Sequence, residues 1–244
     1  MDSSLLLALA LEALGPAGVL AVTASGPVES AADLGSARNV AELLGARHIF
    51  IEQDPLQIPE FPLNTPQRCY VCRRQLYAAL EVIRVEQNLA AIVDGAIADD
   101  SQDYRPGSKA AEEIGVKRPL ADAGLTKDEV RAVSRTLGLP TADKPASPCL
   151  ASRFPYGEPI TLERLQTVEK AEAVLHEAGF PIVRVRYHGT IARIEVPAER
   201  IAELATEPLR STVNVALRAL GYAYVCVDLQ GFRSGSLNEV LDAG

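Results

Sequence analysis

The sequence has 244 residues, of which 48% are hydrophobic and 23% are charged, and its formal net charge is −8. This length suits one large domain or two unequal ones, each with a buried core. The acidic balance argues against broad binding to nucleic acid or to anionic membranes. The sequence contains no apolar run of about 18 residues and no signal-peptide pattern at its start, so we expect a cytoplasmic protein.

The first two-thirds of the chain alternates helical and strand patterns. Helices are predicted at 2–14, 31–44 and 73–86, from about 107, and from 126, where Thr126 and Glu129 form a capping box. Apolar strands are predicted at 19–23, 48–51 and 89–93. This alternation implies an α/β fold with a parallel, doubly wound sheet. Ligands of such sheets bind at the carboxyl ends of the strands, where residues 23–26 and 94–100 lie.

The pattern changes near Tyr156, and the remainder reads as a small α+β domain. It contains a predicted helix at 162–178, a hairpin of strands at 183–187 and 191–196, two further helical stretches and a last strand at 224–228. We therefore predict two domains, at 1–150 and 151–244.

Three of the four cysteines lie in polar, loop-like segments. Cys69 and Cys72 occur in RCYVCRR, and Cys149 occurs in KPASPCLASR. In a reducing cytosol such spacing favours metal binding or catalysis over disulfides. Three thiolates can hold an iron–sulfur cluster or carry out sulfur chemistry directly; a pair of buried thiols or a redox pair is the alternative for CxxC. Cys226 lies in an apolar strand, YAYVCVDL, and is predicted to be a core residue.

Two further patterns suit phosphate. Arg184 and Arg186 are two residues apart on a predicted strand, so both side chains project from the same face, and paired guanidinium groups match a phosphate. An exposed polar strand face is the alternative. At the start of the chain, Asp2, Ser3 and Ser4 open a helix whose N–H groups attract phosphate, although an ordinary helix cap has the same sequence.

Acidic and glycine residues follow the predicted strand at 89–93. Asp94 and Gly95 come directly after it, and Asp99 and Asp100 come a few residues later. A carboxylate at this edge of the sheet could hold Mg²⁺ beside a nucleotide, although Asp and Gly are also common in turns. Arg105, in YRPG, is a candidate contact to phosphate or to substrate.

Long segments of the chain resemble one family. These are VLAVTASGP, RCYVCRRQLY, VDGAIADDSQDYRPG, KPASPCLASRFPYGEPIT, RVRYHGTIARIEV and GFRSGSLNE. Together they resemble the ATP-dependent sulfur transferases that make the nickel-pincer nucleotide cofactor of lactate racemase, the LarE family. The resemblance implies a PP-loop ATP pyrophosphatase-like domain over 1–150 and an α+β substrate-binding or oligomerisation domain over 151–244. It also implies a homo-oligomer, with hexamers among the possibilities.

The resemblance implies a reaction on a small molecule. ATP with Mg²⁺ adenylylates a carboxylate of pyridinium-3,5-biscarboxylic acid mononucleotide, and sulfur then displaces AMP. A second round gives the bisthiocarboxylic acid mononucleotide. Activation is needed because a carboxylate is a poor electrophile, whereas its adenylate exposes the carbonyl to a sulfur nucleophile.

The resemblance also assigns residues. Cys149 matches the sulfur-handling cysteine, which in some members surrenders its own sulfur. In other members a CxxC pair joins it to hold a [4Fe-4S] cluster that carries the sulfide, and Cys69 and Cys72 place this chain with them. The implied ATP-site residues are Asp2, Ser3, Ser4, Thr23, Asp94 and Gly95. The implied substrate-site residues are Ser152, Arg153, Arg184, Arg186 and Arg105, with Glu172 and Glu195 near the sulfur site and a divalent metal.

One part of the family pattern lies outside the sequence. Asp2 and Ser3 match the end of the SGGxDS pyrophosphate loop, and Met1 stands at its variable position. We expect that the natural chain begins upstream; the alternative is a shortened loop that impairs the use of ATP. Two other functions remain open: a related enzyme that thiolates tRNA, which the acidic charge disfavours, and a non-catalytic protein that keeps the substrate and cluster sites.

Overall fold

A computed structural model describes residues 1–102, 106–233 and 235–240. The chain divides into two compact units. Unit 1 comprises residues 1–61 and 66–147, and unit 2 comprises residues 62–65 and the chain from Pro148 onward. The ATP and substrate roles assigned to residues 1–150 and 151–244 stay predictions. None of the described helices combines the length and the apolar character that crossing a membrane requires.

Unit 1 contains a parallel sheet of two strands, β1 (Leu20–Ser25) and β2 (Arg47–Glu52). Its helices are α1 (Asp2–Leu14), α2 (Ala31–Leu43), α3 (Arg68–Glu86), α4 (Pro106–Ile114), α5 (Pro119–Asp122) and α6 (Lys127–Thr136). Leu5 of α1 and Val130 of α6 lie in one buried apolar cluster. The predicted capping box of α6 is present. The α/β class is confirmed, whereas the doubly wound PP-loop arrangement stays a prediction.

The predicted strand at 89–93 is wrong. Only one isolated parallel bridge, between Val93 and Lys117, forms in this stretch among the described residues. Leu89, the first residue of the predicted strand, is instead bonded to the end of α3. Its N–H donates to the carbonyl of Arg84, and the Arg84 guanidinium donates to the carbonyl of Leu89. Leu89 therefore belongs to the closing turn of a helix, which the apolar pattern alone does not reveal.

Unit 2 contains a second sheet, of three strands in the order β3 (Arg184–His188), β4 (Ile191–Glu195) and β5 (Tyr224–Val227). The β3–β4 pair is the predicted antiparallel hairpin, and β5 is parallel to β4. The helices of this unit are α7 (Leu162–Glu177), α8 (Ile201–Leu204) and α9 (Leu209–Ala219). One face of the sheet carries Val185 and Ile194 into an apolar core shared with α7 and α9. The opposite face is free to carry polar side chains.

Asn64 ties its short segment into unit 2. Its fully buried side chain donates to the carbonyl oxygens of Pro155 at 2.6 Å and Glu158 at 2.9 Å, with a longer bond to that of Phe154. Its own carbonyl accepts from the N–H of Gly157. Its φ of 53° lies in the left-handed region, which asparagine tolerates better than most residues. One amide group thus closes the loop that follows residue 153.

We predict that Asn64→Asp lowers the free energy of unfolding of unit 2 by about 2–4 kcal/mol, because a carboxylate cannot donate to these buried carbonyl oxygens. Urea unfolding followed by circular dichroism measures this change. Asn88→Asp is the matched control, because Asn88 has a similar φ of 51° but is exposed. Equal effects of the two substitutions would contradict the assigned role of the Asn64 amide.

Candidate active site

Cys149 stands at the start of a short turn in unit 2. It precedes a 3₁₀ helix, Leu150–Arg153, and its carbonyl accepts from the N–H of Ser152 at 2.9 Å. Pro155 limits this helix, because a proline disfavours helical backbone at the residue before it. The thiol is free of disulfides and partly exposed. The sequence at this point therefore builds one tight turn with an accessible cysteine at its entrance.

The side chain of Arg153 is buried beneath this turn, with 3% of the residue exposed. Its Nη1 donates to the carbonyl oxygens of Pro148 at 2.6 Å and Cys149 at 3.2 Å, and to Oγ of Ser152 at 3.0 Å. Its Nε and Nη2 each donate to one carboxylate oxygen of Glu172 at 2.9 Å. Arg153 and Glu172 thus form a buried ion pair with two hydrogen bonds. Arg153 also binds the main-chain carbonyl groups of Pro148 and Cys149.

Glu172 occupies a position of α7 that would normally be apolar. Val168 and Leu175, one turn before and after it, are fully buried, so the helix places Glu172 in its core-facing stripe. A carboxylate there is costly unless it is paired and hydrogen-bonded. Arg153 supplies the charge, and the N–H of Val185 donates to the Oε1 atom at 3.0 Å.

Arg184 and Arg186 lie on the polar face of β3, as predicted, because Val185 between them points into the core. Both arginines are buried, so the alternative of an exposed polar face is wrong. Arg186 donates from Nη1 to the carbonyl of Ser152 at 2.9 Å and from Nη2 to Oε2 of Glu195 at 2.8 Å. Arg184 donates to the carbonyl of Val183 and lies over the ring of Phe232.

The sequence interpretation missed three residues of this network. Arg193 donates to Glu195 at 3.1 Å and to Asp228 at 2.9 Å, and Ser236 accepts from Arg186 at 2.9 Å. The strand pattern of IARIEV could have identified Arg193, because Arg193 is two residues before Glu195 and therefore projects from the same face of the strand. Nothing local marked Asp228 or Ser236.

The polar cluster of unit 2 combines several guanidinium groups with carboxylates. Among the described residues it contains Arg153, Arg184, Arg186 and Arg193 together with Glu172, Glu195 and Asp228. The Nε atoms of Arg186 and Arg193 are buried without a hydrogen-bond partner among the described residues. These two unused donors favour an anionic ligand.

The prediction for Cys226 is wrong. Val225 and Val227 point into the core, so the intervening thiol projects from the opposite face of β5, where it is exposed. Its strand partner is Arg193. The apolar composition of the strand suggested burial, but its alternation decides which residues are covered.

Cys69 and Cys72 lie in the first two turns of α3, which begins at Arg68 rather than at the predicted residue 73. Residues three apart on a helix are neighbours, with Cβ atoms about 5–6 Å apart, so the two thiols share one face. Both are free of disulfides and partly exposed. Gln53 donates to the carbonyl of Cys72 at 3.1 Å and joins this turn to the end of β2.

The predicted ATP-site residues of unit 1 are partly brought together. A Cβ at Gly95 would lie 2.7 Å from the backbone nitrogen of Ser3, so only glycine permits this approach to the start of α1. Asp2 begins α1, and Ser4 is buried in its first turn.

Two other predicted ATP-site residues are held by side-chain partners. Asp94 accepts from the hydroxyl of Tyr77 at 2.9 Å and from the N–H of Ala96. The hydroxyl of Thr23 shares a hydrogen bond with the ring of His48.

Lys127, Lys144 and Asp33 were missed by the sequence interpretation. Lys127 Nζ lies 2.8 Å from a carboxylate oxygen of Asp2 at the start of α1, and Lys144 Nζ lies 2.8 Å from Asp33. Burial would raise the pKa of Asp33, but hydrogen bonds from Lys144, Ser147 and Ser30 outweigh burial, so this pKa lies below its ordinary value. No local pattern distinguishes these two lysines from solvated ones.

Neither unit by itself groups three His, Cys, Asp or Glu side chains for a metal ion within its described residues. Glu172 and Glu195 are each occupied by guanidinium groups. The cysteines suit an iron–sulfur group in type and exposure, with two on unit 1 and one on unit 2. Arg105 lies outside the described residues.

No family model matches the sequence. The chain is 40% identical over 241 residues to the pyridinium-3,5-bisthiocarboxylic acid mononucleotide synthase of Lactiplantibacillus plantarum, which covers 99% of this chain and 87% of that protein. It is also 40% identical over 241 residues to an uncharacterized protein of Synechocystis, covering 99% of this chain and 90% of that protein. An uncharacterized protein of Methanocaldococcus jannaschii is 26% identical over 192 residues, 79% of this chain and 74% of that protein.

Identity at this level over nearly the whole chain extends well beyond the segments around the cysteines and arginines. It confirms the resemblance drawn from those segments. The chain belongs to the LarE family, the family of pyridinium-3,5-bisthiocarboxylic acid mononucleotide synthase.

Proposed function

We propose that the protein is an ATP-dependent sulfur transferase of nickel-pincer cofactor biosynthesis. Its substrate is pyridinium-3,5-biscarboxylic acid mononucleotide, and its product is the bisthiocarboxylic acid mononucleotide. The observation that carries this proposal is the 40% identity to the synthase over 99% of the chain. The chemistry that the name of that synthase implies is the conversion of carboxylates into thiocarboxylates.

The reaction is proposed to run through an acyl adenylate. A carboxylate oxygen of the substrate attacks the α-phosphorus of ATP, which arrives with Mg²⁺, and displaces pyrophosphate. A sulfur nucleophile then attacks the activated carbonyl, and AMP leaves with the electron pair of the broken C–O bond. The carboxylate alone would not react, because its negative charge repels a thiolate or sulfide. We assign activation to unit 1, within a PP-loop ATP pyrophosphatase-like fold.

The start of α1 supports this assignment. It is a 13-residue helix, and its first N–H groups favour phosphate. Gly95 approaches the Ser3 backbone where a Cβ would clash, so no side chain from that position covers the helix end. Lys127 adds a cation that Asp2 now holds at 2.8 Å. A triphosphate bound there would compete with Asp2 for this lysine.

The arginines of β3 and β4 in the polar cluster, Arg184, Arg186 and Arg193, are proposed to bind the phosphate of the mononucleotide. The unused Nε donors of Arg186 and Arg193 provide the electrostatic reason. Arg184 is buried on the same face of β3 as Arg186. We therefore expect Arg184 to contribute strongly to phosphate binding.

Cys69, Cys72 and Cys149 are proposed to hold a [4Fe-4S] cluster, which when bound supplies an iron open to an exogenous sulfide. Three thiolates suit such a cluster better than a structural zinc, which usually takes four protein ligands. The partial exposure of all three thiols is compatible with ligation. Transfer of the sulfur of Cys149 itself is the alternative within the same family.

The remaining expectations belong to the same proposal. We infer a cytoplasmic homo-oligomer that acts on a small molecule, and the net charge of −8 disfavours tRNA as substrate.

We predict that the protein, reconstituted with iron and sulfide, forms AMP, pyrophosphate and a thiocarboxylate from ATP and the biscarboxylic mononucleotide. Mass spectrometry of the products measures this. Omission of ATP should abolish thiocarboxylate formation, because the carboxylate is then not activated. AMP formation that does not depend on the mononucleotide, or thiolation of tRNA instead, would contradict the proposed substrate.

Arg184→Met should raise the KM for the mononucleotide by about tenfold or more, since a charge-assisted bond to phosphate is worth about 1.5–3 kcal/mol. Steady-state kinetics measures KM and kcat separately. Arg210→Met is the control, because it removes the same charge from an exposed pair with Glu207 in the same unit. An unchanged KM in Arg184→Met would exclude Arg184 from phosphate binding.

Anaerobic reconstitution should give a brown protein, and Ala substitution of Cys69, Cys72 or Cys149 should each lower its iron content and visible absorption. Each substitution removes one thiolate ligand from the cluster. Cys226→Ala is the matched control and should keep both signals. A colourless wild-type protein after this treatment would reject the cluster and favour Cys149 as the sulfur source.

A further inference from the structure

The main chain around Cys149 is held by guanidinium groups from beneath. Arg153 donates to the carbonyl oxygens of Pro148 and Cys149, and Arg186 donates to the carbonyl of Ser152. Carbonyl oxygens before, at and after the cysteine are therefore bound by two buried side chains. Such bonds fix the peptide planes of the turn, and the peptide planes set the direction in which the thiol leaves the backbone.

The guanidinium nitrogens of Arg153 are already hydrogen-bonded within the protein and are not available to a substrate. All three of its guanidinium nitrogens are engaged: Nε and Nη2 with Glu172, and Nη1 with Pro148, Cys149 and Ser152. Only 3% of the residue is exposed. A group that binds substrate directly must present a donor to it, and Arg153 presents its donors to the protein.

Glu172 connects this arginine to the rigid part of unit 2. It stands in the core-facing stripe of α7, and its Oε1 also accepts from the N–H of Val185 in β3. The chain of contacts therefore runs from α7 and β3 through Glu172 and Arg153 to the carbonyl of Cys149. The planar fork of the guanidinium makes this chain stiff, because its donors point in fixed directions.

We propose that Arg153 and Glu172 form a positioning pair that sets the main-chain geometry of Cys149 and hence the aim of its thiol, rather than binding the substrate. The role in sulfur transfer rests on the proposed function. The role in thiol geometry does not, because the reactivity of Cys149 toward a small alkylating reagent can be measured without substrate.

Lysine cannot replace Arg153 in this role. A single ammonium group cannot hold both oxygens of Glu172 and also reach the carbonyl of Pro148. Glu172→Gln keeps the shape of the side chain but replaces one acceptor oxygen by an NH₂ group that faces another donor. Each substitution should therefore loosen the turn without leaving a cavity. A misplacement of the reacting group by about 1 Å is enough to slow a reaction by about 100-fold.

The test compares wild type, Arg153→Lys, Glu172→Gln and the double variant in two assays. The first is the rate at which iodoacetamide alkylates Cys149 in cluster-free protein, followed by peptide mass spectrometry. We expect each single variant to change this rate by about tenfold. The double variant should change the rate no more than the single variant with the larger effect does. The second assay is thiocarboxylate formation, where kcat should fall by about 10–100-fold while the KM for the mononucleotide changes less than about twofold.

Arg164→Lys and Glu158→Gln are the matched controls. They alter another Arg–Glu pair of unit 2, with a 2.8 Å contact, in which each side chain is about one-third exposed. Both controls should keep wild-type alkylation and kinetics.

An alkylation rate equal to that of wild type in Glu172→Gln would overturn the proposal. So would a KM raised about tenfold with unchanged kcat in either single variant, since that pattern marks a substrate ligand. Circular dichroism reports whether each variant is folded, and the isosteric Glu172→Gln decides if Arg153→Lys does not fold. If wild type makes no thiocarboxylate, the proposed function fails, while the alkylation assay still tests the positioning pair.

Discussion

Two buried carboxylates are the constraint on which unit 2 depends. Glu172 lies in the core-facing stripe of α7, and Glu195 is fully buried at the end of β4. Carboxylates at such depth are tolerated only with cationic and hydrogen-bonding partners. Arg153 and Arg186 supply these partners, and the same two arginines then bind the main chain around Cys149. The pairing that makes burial of these carboxylates possible thus also shapes the turn that carries Cys149.

Side chains alternate between the two faces of the three-stranded sheet, so that one face is apolar and packs in the core while the other is polar. Val185 and Ile194 point into the apolar core with α7 and α9, which holds the strands in place. Their neighbours on the other face form the arginine-rich cluster, where Arg186 and Arg193 pair with Glu195 and Asp228. A polar cluster on such a backing can stay charged and ordered without a ligand, because each carboxylate is paired. The Nε donors of Arg186 and Arg193, which have no hydrogen-bond partner among the described residues, remain available to an anion.

In unit 1, several candidate site residues lie at the beginnings of helices. The CxxC pair begins α3, and Gly95 lies against the backbone that begins α1. Helix periodicity within RCYVCRRQLY continues without a breaking residue, and this is why α3 starts before both cysteines and not after them. The apolar run after α3 predicted a strand, but Leu89 is bonded back to Arg84 and completes the helix instead. Short apolar runs beside helix ends are ambiguous because the same residues suit either structure.

The sequence by itself determined most of the local elements, though not the segment at 89–93 or the start of α3, and it determined the shared face of Arg184 and Arg186 and the family. Each of these depends on residues close in the chain or on matching segments. Only the tertiary structure decided which charges pair. Arg153 meets Glu172 across 19 residues, and Lys127 meets Asp2 across 125. It also moved Cys226 from the core to the exposed face of β5 and revealed that Arg153 holds the Cys149 turn. Burial and pairing depend on how distant segments come together, and no local pattern records that geometry.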